Sequence, residues 1–206
     1  RFGVGPHTIS VPRIRPAEDI DTNDFPNAVS DEQFRRLVAV LRLAVPYTGM
    51  IVSTRESQLS REQVLDVGVS QLSGGSRTSG GGYADKVAAE NSEQFDISDN
   101  RSLDEIVGWL LELGYIPSFC TACYREGRTG DRFMSLAKRG LIGNCCAPNA
   151  LMTLGEYLED YASPATRAKG EKMIAEELKN IPSEKVRRIT EERMRDIAQG
   201  KRDFRF

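Results

Sequence analysis

The sequence lacks long apolar runs and lacks an excess of positive charge. No hydrophobic stretch approaches the ~20 residues that a membrane-spanning helix requires, and no apolar segment has the character of a secretory signal. The chain carries 28 Lys and Arg residues against 30 Asp and Glu residues, so no basic surface predicts nucleic-acid binding. These absences predict a cytoplasmic protein that binds neither membranes nor nucleic acids.

Histidine is also scarce, since His7 is the single histidine of the chain. It follows Pro6 and precedes a short β-prone run. A lone histidine is more often packed or exposed than bound to a metal, although it is also a common metal ligand. The predicted position of His7 at a strand terminus in a βα barrel raises the chance of a functional role.

The four cysteines, in contrast, are concentrated in one segment: Cys120, Cys123, Cys145 and Cys146. Without a secretion signal, this clustering favours metal binding or redox chemistry over a disulfide framework. Cys120 and Cys123 form a CxxC pair, whose thiolates can share one metal ion or one edge of a cluster. Spacing alone leaves three interpretations open: structural zinc, an iron–sulfur cluster, or a thiol redox pair.

The third thiol helps to compare these interpretations. Structural zinc usually has four protein ligands, and the adjacent residues Cys145 and Cys146 are poorly placed to bind the same ion. Three thiolates from Cys120, Cys123 and Cys146 would leave one corner open, which suits a cluster with a reactive iron. Arg125, Arg128 and Arg132 follow the CxxC pair and would offset the negative charge of such a cluster, but a solvated polar loop would have the same composition.

The hydrophobic pattern predicts an α/β fold in two parts. β-prone runs at 8–11, 49–53 and 69–72 alternate with helices whose predicted starts are Ser30 and Ser60, a pattern typical of parallel βα units. Three strands cannot close a barrel of eight, so we expect residues 1–83 to be the last strands of a TIM-type barrel. We expect residues 84–206 to be mainly helical. Helices are predicted at 102–113, 130–138 and 148–161, with two charged helices between 165 and 199 that are separated at Pro182.

Several segments resemble a known enzyme family. The matching segments are 5–13, 47–56, 68–83, 148–151, 156–158 and, most specifically, 117–134 with its CxxC pair and the later Cys146. The chain resembles the HydG family, the radical S-adenosylmethionine tyrosine lyases that mature iron-only hydrogenase. The resemblance covers nearly the whole chain and is weakest in 84–100 and 165–206.

The resemblance implies an enzyme with two 4Fe–4S clusters. The first, held by a CxxxCxxC motif, cleaves S-adenosylmethionine to a radical that fragments L-tyrosine into p-cresol and dehydroglycine. The second, an auxiliary cluster in the C-terminal domain, takes dehydroglycine on to carbon monoxide and cyanide for the hydrogenase active site. Free cysteine and other hydrogenase maturation proteins are the further partners that the resemblance implies.

The resemblance also implies roles for single residues around the auxiliary cluster. Cys120, Cys123 and Cys146 would bind three irons of the 4Fe–4S cluster and leave the fourth open. His7 is the candidate ligand of an additional labile iron near that corner. Cys145 matches no ligand position and is expected to be a buried thiol.

A second set of implied roles concerns tyrosine. Arg55 is the candidate for binding the tyrosine carboxylate, because a guanidinium can bind it through two hydrogen bonds. Ser53 and Thr54 are candidates for orienting it. Arg55 could instead be a structural ion-pair partner of Glu56 or of another carboxylate.

No CxxxCxxC motif occurs in this chain, which begins at Arg1 in mid-motif. We therefore expect a piece of a longer enzyme that cannot cleave tyrosine alone. Two alternatives remain. One is a tyrosine lyase of the thiamine pathway, which shares the Thr-Arg-Glu and Gly-Gly-Tyr features but not the auxiliary-cluster tail. The other is a structural zinc or interaction module.

Overall fold

The computed structural model describes residues 5–16, 20–78, 97–128 and 130–206. The described part forms two compact units, one ending at Ser102 and the other beginning at Leu103. The domain boundary predicted between residues 83 and 84 lies outside the described residues, as does Tyr83 of the Gly-Gly-Tyr feature. That boundary therefore stays a prediction.

The first unit contains a parallel sheet. Its strands are β1 (Thr8–Ser10), β2 (Gly49–Val52) and β3 (Gln71–Leu72), which lie in the order β1-β2-β3 with both pairs parallel. Helix α1 (Asp31–Ala44) precedes β2 and helix α2 (Gln58–Leu65) precedes β3. The predicted mixture of helices and short parallel strands is confirmed, while membership of a larger barrel stays a prediction.

Local capping signals explain where these helices begin. Ser30 caps α1 as predicted: its Oγ accepts a hydrogen bond from the Gln33 N–H at 3.2 Å, and the Gln33 side chain accepts from the Ser30 N–H at 2.9 Å. The prediction that Ser60 caps α2 is wrong. Ser57 is the cap, accepting from the Ser60 N–H at 3.2 Å, and the Ser60 hydroxyl lies 3.4 Å from Glu56 Oε2, to which it donates.

The core of the first unit lies between α1, α2 and the sheet. Its buried apolar side chains come from both helices and from β2: Phe34, Val38, Met50, Val52, Val64 and Leu65. Leu37, which helical spacing from Phe34 places on the same face of α1, is exposed. Arg42 connects α1 to the turn before β3, since its guanidinium donates two hydrogen bonds to the Gly68 carbonyl at 2.6 and 3.1 Å. Gly68 has a φ of +121° and a Cβ there would lie 2.7 Å from Arg42 Cγ, so a larger residue would be strained.

The second unit is helical. Its helices are α3 (Leu103–Glu112), α4 (Ala122–Arg125), α5 (Asp131–Lys138), α6 (Gly143–Asp160), α7 (Pro164–Glu177) and α8 (Glu184–Ala198). The predicted break near Pro182 is confirmed, because Ser183 caps α8 by accepting from the Val186 N–H at 3.4 Å. No helix among the described residues is long and apolar enough to cross a membrane.

The core of the helical unit lies where α6 packs against α7 and α8, and where α7 packs against α3. Its buried residues are Val107, Leu111, Leu151, Leu154, Tyr157, Leu158, Ile174 and Ile181. The prediction that α6 starts at Pro148 is wrong, since the helix begins at Gly143. Pro148 is the sixth residue of this helix, so its missing N–H removes one intrahelical hydrogen bond, the one to the Asn144 carbonyl, and the helix continues through it. Cys145 and Cys146 consequently lie in the first turn of α6.

Candidate functional site

The cysteines lie on two segments of the helical unit. Cys120 precedes α4 and Cys123 lies within it, while Cys145 and Cys146 lie at the start of α6. All are free thiols. Helix α4 was not predicted, because it spans a single turn; its buried Ala122 anchors the loop, and the Ala122 N–H donates to Cys120 Sγ at 3.4 Å.

The thiols are close enough to influence one another's ionisation. Loss of hydration, together with the neighbouring thiols Cys145, Cys123 and Cys120, raises the pKa of Cys146 to about 12, although Cys146 is exposed as a whole residue. Burial likewise raises the pKa of Cys123, while the charge of Arg128 acts in the opposite direction. Without added positive charge, the Cys123 and Cys146 thiols stay protonated at neutral pH. A bound metal centre reverses that preference, because coordinated thiols lose their protons.

The arrangement of the thiols bears on the choice between zinc and a cluster. In the part of the chain that the structure describes, no three His, Cys, Asp or Glu side chains are arranged to hold one metal ion. In a cubane cluster each thiolate binds a different iron, so the sulfurs need not converge on one point. Cys145 is half-buried rather than buried and contacts Cys146 through its thiol. The soft donor set fits an iron–sulfur cluster, and the ligand roles of Cys120, Cys123 and Cys146 stay a prediction.

Arginines surround the CxxC loop. Arg125 pairs with Asp203 through two hydrogen bonds, Arg128 donates to the Phe206 carbonyl at 2.5 Å, and Arg132 donates to the Gly127 carbonyl at 3.3 Å. The Nε of Arg128 is buried and has no hydrogen-bond partner among the described residues. A buried guanidinium N–H without an acceptor is unusual, and an anionic cluster beside Cys123 would supply one.

The candidate tyrosine-binding residues form the turn after β2. The Ser53 Oγ accepts from the Arg55 N–H at 3.4 Å, and the Ser53 carbonyl accepts from the Glu56 N–H at 3.3 Å. Thr54 is buried, and its carbonyl accepts from the Asp99 N–H at 3.0 Å. This turn lies at the carboxyl edge of the parallel sheet, the edge where α/β proteins bind ligands. The location supports Arg55 as a substrate residue, whereas the buried side chain of Thr54 suits a positioning role.

A narrow crevice beside this turn is lined by Ser10, Arg13, Ser53, Arg55 and Glu56, among others. Glu56 is bound by Arg13, with Nε–Oε1 and Nη2–Oε2 distances of 2.9 and 2.5 Å, and each of these two side chains is only 5% exposed. The sequence did not predict this partner for Glu56. A charged residue following each of two neighbouring parallel strands was the signal that could have indicated it.

A second buried pair supports the same edge of the sheet. The guanidinium of Arg61 binds Asp99 and also donates to the Ser73 carbonyl at 2.5 Å; the Arg61 and Asp99 side chains are 0% and 2% exposed. Arg101 is a further partner of Asp99, at 2.6 and 2.8 Å. Burial alone would raise the pKa of Asp99, but the hydrogen bonds and charges of Arg101 and Arg61 outweigh it and lower that pKa. Sequence reasoning missed this pair because its members are far apart in the chain.

His7 lies at the opposite edge of the sheet from Arg55. It immediately precedes β1, and its carbonyl accepts from the Gly49 N–H, at the start of β2, at 3.0 Å. Its Nδ1 lies 2.8 Å from Thr8 Oγ1. The amino ends of parallel strands share one edge, so the length of β2 separates His7 from the turn at 53–55 by roughly 13 Å at ~3.3 Å per residue. The first unit therefore holds two candidate sites rather than one.

The chain matches known proteins. The family model of the Biotin and Thiamin Synthesis associated domain matches residues 10–116. The chain belongs to this family. It is similar to the 2-iminoacetate synthase of Escherichia coli (strain K12), with 31% identity over 112 residues, which are 54% of this chain and 28% of that protein. The 2-iminoacetate synthase of Salmonella typhimurium (strain LT2) is 32% identical over the same share of both chains.

Two solved structures extend the similarity beyond the matched domain. A crystal structure of HydG, a maturase of FeFe-hydrogenase, is 55% identical with a TM-score of 0.94, covering 100% of this chain and 44% of that one. HydG from Carboxydothermus hydrogenoformans is 39% identical with a TM-score of 0.69, covering 94% of this chain and 40% of that one. The predicted resemblance to HydG is confirmed. The chain spans less than half the length of each of these HydG proteins and about a quarter of the curated relatives.

Proposed function

We propose that this chain is the part of a HydG-type radical S-adenosylmethionine tyrosine lyase that holds the auxiliary 4Fe–4S cluster and contributes to the tyrosine site. One observation carries the proposal. Free thiols lie on two segments, and the charge of Arg128, whose buried Nε has no hydrogen-bond partner among the described residues, acts on Cys123, in a chain that is similar to HydG over its whole length. The cytoplasmic location predicted from the sequence belongs to the same proposal.

The auxiliary cluster would be held by Cys120, Cys123 and Cys146, one iron each, with the fourth iron open to other ligands. When bound, the cluster supplies an open iron at which dehydroglycine is taken on to carbon monoxide and cyanide. Arg128 would stabilise the anionic cluster by donating from its buried Nε, since hydrogen bonds to cluster sulfurs and nearby charge are the means by which a protein tunes such a centre.

The tyrosine site would use the carboxyl edge of the sheet. Arg55 binds the substrate carboxylate through its guanidinium, and Ser53 and Thr54 hold the turn in which Arg55 lies. The buried pair of Arg13 and Glu56 fixes the next residue of that turn. S-adenosylmethionine and the radical-generating cluster would belong to the remainder of the parent enzyme.

His7, which lies at the amino edge of the sheet, would bind a labile iron, with free cysteine as a further ligand. The separation of His7 from Arg55 within one unit supports two reactions at two places, tyrosine cleavage at one edge and handling of its product elsewhere. A His7→Ala variant is expected to lose labile iron while keeping the cluster, as measured by iron and sulfide analysis. Unchanged iron stoichiometry would remove His7 from the site.

The central experiment uses Cys123→Ala in the full-length enzyme. The variant should still form p-cresol, because the radical cluster is intact, but should release far less carbon monoxide and contain less iron. Cys145→Ala is the matched control, since it removes a neighbouring thiol that has no proposed ligand role. Equal loss of p-cresol and carbon monoxide, or unchanged iron, would contradict the proposal.

A further variant tests the tyrosine site. Arg55→Lys keeps the charge but removes the two-point geometry, so the KM for tyrosine should rise about tenfold, given that a charged hydrogen bond contributes ~1.5–3 kcal/mol. Unaltered tyrosine kinetics would assign Arg55 to a structural role.

A second candidate function is a tyrosine lyase that stops at 2-iminoacetate, favoured by the similarity to the 2-iminoacetate synthases. Carbon monoxide release by the wild-type enzyme distinguishes the two functions, because a lyase that stops at 2-iminoacetate would release none. Anaerobic reconstitution tests the zinc alternative: uptake of one tightly held zinc without iron would support a structural module.

A further inference from the structure

Residues 203–206, here called the tail segment, fold back onto the cysteine loop. Asp203 binds Arg125 with an Nη2–Oδ2 distance of 2.9 Å, and Arg205 binds Glu126 with an Nε–Oε1 distance of 2.7 Å. Arg125 and Glu126 lie two and three residues after Cys123. Two ion pairs of opposite polarity therefore fasten the tail segment to the downstream end of the loop.

The tail segment also reaches the helix that carries the third thiol. The Phe206 N–H donates to Asn149 Oδ1 at 2.8 Å, and the Phe206 carbonyl accepts from Arg128 Nη2 at 2.5 Å and from Asn149 Nδ2 at 3.5 Å. Asn149 is buried and lies one helical turn after Cys146 in α6. A single backbone carbonyl thus connects the CxxC loop to the cysteine-bearing end of α6.

The conformation of the tail segment is itself fixed. Asp203 has a φ of 70°, an unfavourable value for a residue other than glycine, and its N–H donates to Glu156 Oε1 at 2.7 Å. The Arg193 guanidinium lies 4.3 Å from the centre of the Phe206 ring. Contacts with α6 and α8 therefore hold the segment.

Among the described residues of the downstream end of the loop, Ala122 is the buried residue of α4. Helix α5, which lies between the two thiol segments in sequence, has no buried residue, so core packing does not set their spacing. The upstream end has its own anchor, because the Phe119 N–H donates to Thr153 Oγ1 at 3.2 Å and the Phe119 ring stacks 4.9 Å from Tyr157. At the downstream end, the buried Ala122 and the ion pairs to the tail segment hold the residues on either side of Cys123.

We propose that the tail segment, through Asn149 and Arg128, positions the Cys123 end of the loop against the Cys146 helix and so preforms the cluster site. The inference deepens the proposed function and rests on it. A preformed site loses less conformational freedom when the cluster binds, so the cluster is held more tightly and released more slowly.

The test uses the full-length enzyme with the cysteines of its radical-cluster motif replaced, so that the iron counted belongs to the auxiliary cluster. The rate at which a chelator removes that iron is measured for the double variant Asp203→Ala with Arg205→Ala. The Asp203 side chain is 57% exposed and that of Arg205 is 34% exposed, so the fold should survive. Iron loss should be about fivefold faster, in keeping with the modest strength of two surface ion pairs. Lys169→Ala, which breaks an exposed ion pair elsewhere in the same unit, is the control and should leave the rate unchanged.

A charge exchange separates positioning from a general loss of stability. Arg205→Glu should accelerate iron loss, and the added change Glu126→Arg should restore the wild-type rate by re-forming the pair in reverse. If the double variant and Arg205→Glu both lost iron at the wild-type rate while Cys123→Ala still lost the cluster, this inference alone would be overturned. Unchanged iron in Cys123→Ala would overturn both the proposed function and this inference.

Discussion

The two units of the chain place their charged side chains in different environments. In the unit ending at Ser102, the Arg13–Glu56 and Arg61–Asp99 pairs are buried, with no side chain more than 5% exposed. In the helical unit, ion pairs such as Lys169–Glu112 lie at the surface, with side chains 40% and 58% exposed. The unit with the parallel sheet therefore contains buried ion pairs, whereas an ion pair such as Lys169–Glu112 in the helical unit lies at the surface.

We attribute the difference in ion-pair burial to the kind of candidate site that each unit carries. A buried ion pair gives little net stability compared with apolar residues of the same size, because both charges lose their hydration. Both buried pairs lie at the carboxyl edge of the sheet, beside the turn that carries Arg55. We therefore expect them to hold the geometry of a charged-substrate site, whereas the helical unit uses apolar packing to carry thiols at its edge.

The largest effect is expected where a buried charge loses its partner. Arg61→Met leaves Asp99 buried with Arg101 as its remaining partner, so the free energy of unfolding should fall by ~3–5 kcal/mol. Denaturant-induced unfolding followed by circular dichroism measures it. A loss below ~1 kcal/mol would show that the buried pair behaves like a surface pair, and the comparison between the units would fail.

The same pair predicts a pH dependence. The pKa of Asp99 is lower in the folded protein than in the unfolded chain, so its contribution to stability is full above the unfolded value of ~3.9 and is lost as the pH falls through the folded value. Acid unfolding of the wild type should show this loss. Asp99→Asn should remove that part of the pH dependence and should be less stable at neutral pH.

In the helical unit, the corresponding test concerns packing. A Cβ at Gly170 would lie 2.5 and 2.7 Å from the two terminal carbons of the buried Leu158, which has no room to move. Gly170→Ala should therefore destabilise by ~1–2 kcal/mol, since overpacking exceeds the ~1 kcal/mol gain in helix propensity. Gly155→Ala is the matched control: its Cβ meets the flexible end of Met194 at 2.6 Å, so the change should be close to neutral. Equal effects in thermal unfolding would contradict this explanation.

The features that could be predicted from the sequence are those with local signals. The capping box at Ser30 and the break at Pro182 depend on neighbouring residues, and alternating strands and helices predicted parallel units. The start of α2 was misplaced because Ser57 and Ser60 both have capping character and only packing selects between them. The start of α6 was misplaced because Pro148 is a common first residue of a helix.

The contacts that could not be predicted join residues that are distant in sequence. Hydrophobic periodicity identifies the buried face of an element but not the partner of a buried charge, so Arg61 and Asp99 gave no signal. The contacts of residues 203–206 with the cysteine loop were missed for the same reason. The CxxC pair and Cys146 could be identified because motif spacing and family resemblance can be recognised in the sequence without knowledge of the fold.

A smaller effect is expected at Asp104, a polar anchor of the helical unit. Its carboxylate accepts hydrogen bonds from the Ser163 N–H at 3.2 Å, the Thr166 hydroxyl at 3.1 Å and the Tyr157 hydroxyl at 3.3 Å. Burial alone would raise the pKa of Asp104, but these bonds lower it; burial and Asp104 together raise the pKa of Tyr157 to about 12. Asp104→Asn should cost ~1 kcal/mol at neutral pH. An ultraviolet titration should show the pKa of Tyr157 closer to its ordinary value in the variant, and an unchanged titration would remove Asp104 as a cause.

The smallest effect is expected at the surface. Lys169 Nζ lies 2.6 Å from Glu112 Oε1, a distance as short as those in the buried unit, yet both side chains are largely in water. Lys169→Ala should change the free energy of unfolding by less than ~1 kcal/mol, and the difference should shrink as salt is added, because exposed charges are screened. Because the distance is similar to that of the buried Arg13–Glu56 pair while the exposure is far greater, this variant tests mainly the effect of burial. A loss comparable to that of Arg61→Met would mean that distance, rather than burial, decides the strength of ion pairs in this chain.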